Sequence, residues 1–123
     1  MGHDLRFSEL REANSDRQIE SFPKCREWTL PQWSNAAMGE FGEAANIIKK
    51  LDRLRDDPDA RQNGRDPEIL NQQLASELAD AVIYLDLLAI AAKIDLGLAV
   101  ARKFNEVSQR IGSRVVLRER ITS

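Results

Sequence analysis

The sequence predicts an all-α protein, a helical bundle of four to five helices, and three observations carry that expectation. Apolar residues recur every three or four positions over long stretches. Residues that favour helix starts stand in front of three of those stretches. One segment, RDDPDARQNGRDP at 55–67, reads as a long loop, dense in Asp, Pro, Asn and Gly.

A weak stripe of Leu5, Leu10 and Ile19 suggests a first helix between about residues 5 and 19. Thr29 is placed to cap a second helix, with Pro31 in its tolerant first turn. Leu30, Trp33, Ala37, Phe41, Ala44, Ile48 and Leu51 form its stripe and are expected to be buried. After the loop, taken as residues 55–66, Asp66 can cap a third helix, with Pro67 at its first position and Glu68 favourable to the dipole. Its stripe is Leu70, Leu74, Leu78, Ala81, Leu85, Leu88 and Ala92. Asp95 caps a fourth, where Leu96, Val100, Phe104, Val107 and Ile111 repeat the spacing and Gly112 ends it. RVVLRERI, within a C-terminal tail at 113–123, fits a short strand or an extended tail. Stripes this apolar exceed what one small bundle covers. The core is therefore expected to be completed by homo-oligomerisation, as a homodimer or homotetramer.

A chain of 123 residues is most simply one domain, residues 1–123. It is 42% hydrophobic and 31% charged, too apolar for a disordered chain. A net charge of −2 lacks the basic footprint of a nucleic-acid-binding protein. Cys25 is the one cysteine, which excludes an intramolecular disulfide and a cysteine metal site. The start, MGHDLRFSELRE, has no apolar core of the signal-peptide kind, and no apolar run approaches the roughly 20 residues that span a bilayer. A soluble cytoplasmic protein without membrane contact is expected.

The chemistry concentrates in two acidic pairs. In MGEFGEAANIIKKL, Glu40 and Glu43 are three apart beside the apolar stripe, so their Cβ atoms stand roughly 5–6 Å apart on a helix. SELADAVIYL repeats the arrangement with Glu77 and Asp80. Helices joined by one loop naturally pack antiparallel, which can bring the pairs face to face. Two carboxylates about 5 Å apart repel by roughly 3 kcal/mol at an effective dielectric near 20. Four in one cleft call for divalent cations, and carboxylate oxygens without histidine or cysteine suit Mg²⁺, with Mn²⁺ as a substitute. The competing account is ordinary: acidic pairs at this spacing are common on solvated helix faces. Di-iron bundles built on Glu-x-x-His lack their ligands here, because His3 is the one histidine and lies far from the acidic helices.

E-x-x-E, a loop, then E-x-x-D with Tyr84 four residues later resembles the MazG-like all-α nucleoside triphosphate pyrophosphohydrolases. The resemblance extends through GEAANIIKKLDR at 42–53 and KFNEVSQR at 103–110, and covers residues 28 to about 117. One departure is Gly39, where many members carry a second acid before the first motif. The resemblance implies hydrolysis of a (deoxy)nucleoside triphosphate to the monophosphate and pyrophosphate, with water attacking the α-phosphorus. It implies Glu40, Glu43, Glu77 and Asp80 as catalytic metal ligands for Mg²⁺, one of them mainly orienting the water.

Other residues are candidates for the substrate. Lys103 suits a β- or γ-phosphate as a point charge, against a solvated helix lysine as its alternative. Asn105 suits phosphate or sugar, but two residues from Lys103 it points about 160° away, so one of them would serve a neighbouring subunit. Arg110 shares the face of Lys103. Lys50, beside Lys49, is within reach of phosphates or simply polar-face. The Tyr84 hydroxyl lies one turn after Asp80. Trp28, ahead of the helix, is freer to stack on a base than Trp33, which fits the core stripe. Asn46 suits a base edge or sugar hydroxyl, and Asn35 is weaker in that role. Two other accounts compete: a related pyrophosphohydrolase acting on phosphoribosyl-ATP or a dUTP-restricted pool, and a non-catalytic helical module whose acids bind a structural cation or a basic partner.

Overall fold

The structure, a computed structural model, describes residues 2–57, 59 and 66–119. Among them the chain forms α1 (Phe7–Ser21), a short 3-10 turn (Pro23–Glu27), α2 (Leu30–Asp56), α3 (Pro67–Ala91) and α4 (Leu96–Ile111), and no strand. The fold is all-α, as the periodicity predicts.

The helix ends follow from local chemistry. Thr29 closes a capping box on α2: its hydroxyl accepts from the Gln32 N–H while the Gln32 side chain accepts from the Thr29 N–H at 2.8 Å. Asp66 accepts from the Glu68 N–H at 2.9 Å, and Asp95 from the Leu98 N–H at 3.1 Å. The C-termini of α3 and α4 close in the same way. Ile94 N–H reaches the Ala89 carbonyl at 2.8 Å, and Ser113 N–H reaches the Ser108 carbonyl at 2.8 Å. The left-handed residue is Gly112 after α4 but Lys93 after α3, at φ 59°. Gly112 costs nothing sterically there; Lys93 does.

Three expectations need correction. α1 runs two residues later at each end than expected. α2 continues through Arg55 and Asp56 into the segment read as loop, and Arg55 pairs there with Asp52, one turn earlier, at 3.0 Å. Most of the remaining loop, residues 58 and 60–65, lies outside the described residues, as do residues 120–123 of the tail. The third correction concerns the core. Trp33, Ala37, Ala44 and Ile47 are buried on α2, whereas Leu30, Phe41 and Ile48 are about half exposed. Leu78, Leu85, Val100, Phe104 and Ile111 are exposed as well. At about 100° per residue the stripe of α2 is wider than one line of contact. The edge bearing Trp33, Ala44 and Ile47 is covered, and the edge bearing Phe41 is not.

The chain divides into two compact units, residues 29–85 and residues 1–28 with 86–123, and the division falls within α3. In the first, Trp33 lies 6.4 Å from Tyr84, and Glu40 and Glu43 stand beside Glu77. Later residues of α2 meet earlier residues of α3, so the two helices run antiparallel. In the second unit α1 packs on α4. The backbones approach closely at Gly97, where an added Cβ would stand 3.0 Å from the Phe7 Cβ. Arg11 pairs with Asp95 at 3.5 Å, and the buried Asn14 amide donates to the buried Asp86 carboxylate at 2.8 Å.

Candidate functional site

α2 and α3 set the acids by helical arithmetic. Positions 40 and 43 of α2 and 77 of α3 flank the line along which the two helices meet. One carboxylate oxygen from each of Glu40, Glu43 and Glu77 lies within 4.8 Å of the other two. Glu40 and Glu77 are half-buried and Glu43 is exposed. Asp80 is half-buried on α3 and stands outside this group of three. The structure thus brings together three of the four acids singled out in the sequence.

The electrostatics are uneven within the cluster. Glu77 Oε2 is closed off from solvent, and no donor reaches it. The Glu77 carboxyl is pushed up to about 7. The largest cause is a hydrogen bond with the Glu43 carboxyl, which requires a proton between the two groups. Loss of hydration comes next, followed by a hydrogen bond with Glu40 and the charges of both neighbours. Near neutral pH the Glu77 carboxyl is therefore protonated in a substantial share of molecules. The donor set is oxygen-only and anionic, which fits a hard divalent ion such as Mg²⁺.

The other predicted residues are distributed as follows. Tyr84 is half-buried and tilted 45° against the ring of Trp33, which is 3% exposed and so belongs to the core. Asn46 and Lys50 are exposed on α2. Trp28, Lys103, Asn105 and Arg110 belong to the other unit. Trp28 is half-buried after the 3-10 turn, and its N–H reaches the Cys25 carbonyl at 3.1 Å. Lys103 is exposed and paired with Glu106 at 3.2 Å. Arg110 is exposed in the last turn of α4. Asn105 uses both ends of its amide on the chain itself: Nδ2 donates to the Leu117 carbonyl and Oδ1 accepts from the Leu117 N–H, each at 2.8 Å.

Asp86 is a residue the periodicity did not single out. It is 2% exposed. The signal was available: an Asp inside the apolar run IYLDLLAIAA at 83–92 has to be buried with a partner or break the run. Among the described residues no helix is long and apolar enough to cross a membrane. Comparison with protein-family models, with curated proteins and with solved structures finds no match.

Proposed function

We propose that the protein is a Mg²⁺-dependent nucleoside triphosphate pyrophosphohydrolase, releasing pyrophosphate and a nucleoside monophosphate. The observation that carries the reading is the convergence of Glu40, Glu43 and Glu77 on one point from two antiparallel helices. The motif order and spacing of the MazG-like resemblance supply the reaction. In this reading Glu40, Glu43 and Glu77 hold the cation, and Asp80, one turn beyond Glu77, orients water or completes the ligand set. When bound, Mg²⁺ supplies charge neutralisation for the phosphates and acidifies a coordinated water. The chain's own work is positioning. Trp33 and Tyr84 brace the two helices, so the carboxylates keep their separation without reorganising when the substrate arrives. Asn46 and Lys50, exposed on α2, are groups of this unit that suit a sugar or phosphate.

The working form in this reading is a cytoplasmic homodimer or a larger homo-oligomer. On α2, Leu30, Phe41 and Ile48 fall within about 20° of one another, and on α3 Leu78, Val82 and Leu85 fall within about 60°. All six are 43–55% exposed. For antiparallel helices both groups turn to the same side of the pair, away from Glu43 and Asp80. A second copy would cover that side.

The test is an assay of pyrophosphate release from a panel of NTPs and dNTPs with Mg²⁺. Glu43→Gln or Glu77→Gln is expected to slow release by roughly a hundredfold or more, as loss of one preorganised charged group does. Unchanged turnover in both variants refutes the site, and orthophosphate as the first product refutes the reaction. Phe41→Asp, read by sedimentation, is expected to shift the assembly toward monomer.

A further inference from the structure

Residues 113–119, after α4, have no regular secondary structure, yet they are tied down at several points. Ser113 closes the helix end by donating to the Ser108 carbonyl, and its hydroxyl accepts from the Val115 N–H at 3.1 Å. Asn105 then takes both backbone groups of Leu117 at 2.8 Å each. Arg102, one turn earlier on α4, reaches Glu119 at 3.6 Å. Ser113 and Val115 line an open apolar cleft of about 640 Å³ together with Phe104 and Val107.

We propose that residues 113–119 are a strap locked onto α4, with Asn105 as its positioning residue. A primary amide presents one donor and one acceptor in the geometry of a peptide group, so it can pair with both backbone groups of a single residue as a neighbouring strand would. No other residue type offers that pair at this length, apart from the longer Gln. The side chains the strap carries, Val115, Val116 and Leu117, are 42–63% exposed, so apolar burial does little to hold it. The amide clamp is what fixes its register. Arg102 and Glu119 are both well exposed and contribute little more than direction. This inference does not depend on the proposed reaction, since it concerns the tail and α4 alone.

Site-resolved amide hydrogen exchange on the full chain tests it. In the wild type the Leu117 N–H is expected to exchange roughly three- to tenfold more slowly than the N–H groups of Val116 and Arg118, the protection one net hydrogen bond gives. Asn105→Ala is expected to remove that difference, and to speed tryptic cleavage after Arg114 and Arg118, while amides in the middle of α4 keep their protection. Asn105→Asp retains the acceptor and is expected to keep most of the Leu117 protection. Equal exchange at positions 116, 117 and 118 in the wild type overturns the clamp, and that measurement stands even if a variant fails to fold. Unchanged Leu117 protection in Asn105→Ala overturns it too.

Discussion

Asp86 and Glu77 lie nine positions apart on α3, and the chain treats these two carboxyls in opposite ways. Asp86, in the unit formed with α1 and α4, is 2% exposed and accepts a 2.8 Å hydrogen bond from the equally buried Asn14. Glu77, in the unit formed with α2, keeps part of its side chain in solvent, yet has a closed-off Oε2 and stands beside two further carboxyls. The first arrangement is complete as it stands. The second sets three acids against one another and raises the Glu77 carboxyl. A neutral amide donor satisfies a buried carboxyl, whereas two neighbouring acids raise a carboxyl's hold on its proton. The proposed function draws on the second arrangement, the convergence of Glu40, Glu43 and Glu77.

The largest stability effect is expected at the satisfied carboxyl. Asp86→Ala removes one acceptor of the buried Asn14 amide and leaves a small void, for a loss of about 2–3 kcal/mol in urea unfolding. Asp86→Asn keeps one acceptor oxygen and is expected to cost less. Equal stability of the wild type and Asp86→Ala would mean that Asn14 finds other partners, and the contrast with Glu77 would lose one side.

Glu77 is expected to show a smaller effect of the opposite sign, visible through pH. Its folded carboxyl sits near 7, above the ordinary value of 4.5. Between those two values the folded state holds more protons than the unfolded state, so stability falls as pH rises through that window. Below about 4.5 the penalty is absent, and above about 7 it is fully present. Without divalent cation, Glu77→Gln is therefore expected to melt higher than the wild type at pH 8 and to match it near pH 4.5. Added Mg²⁺ is expected to raise the wild-type melting temperature at pH 8 and to leave the variant nearly unmoved. Melting curves that run parallel across this range would remove the strained carboxyl from the argument.

The sequence made the helices legible, and with them three acids that the structure brings together. Thr29, Asp66 and Asp95 announce helix starts by side-chain chemistry that acts over three residues, and each is seen in that role. Glu40, Glu43 and Glu77 are legible because an i,i+3 spacing next to an apolar stripe fixes the edge of a helix interface. Periodicity puts Phe41 and Ile48 in the core because it gives the direction of an apolar face but not how much of its width a neighbour covers. For Trp33, at the centre of the covered edge, the expectation holds. Asp86 escaped because it interrupts a run without breaking its period, and its partner Asn14 is 72 residues away. The grip of Asn105 on Leu117, twelve residues on, is equally invisible to a helical repeat.

The smallest effect separates general weakening from the chemistry of the acids. The capping box of Thr29 and Gln32 supports α2 at its exposed first turn, two turns or more before Glu40. Thr29→Ala loses the hydroxyl that accepts the Gln32 N–H, and such losses cost about 1 kcal/mol. It leaves Glu40, Glu43 and Glu77 in register, because the Trp33–Tyr84 contact still braces α2 against α3 below the cap. The variant is therefore expected to melt a few degrees lower at every pH, with the wild-type fall between about pH 4.5 and 7 and the wild-type gain from Mg²⁺ both intact. A Thr29→Ala protein that loses the pH dependence along with stability would show that the raised Glu77 carboxyl depends on the whole helix being held in place. The contrast with Asp86 would then belong to the rigidity of α2 rather than to the neighbours each carboxyl is given.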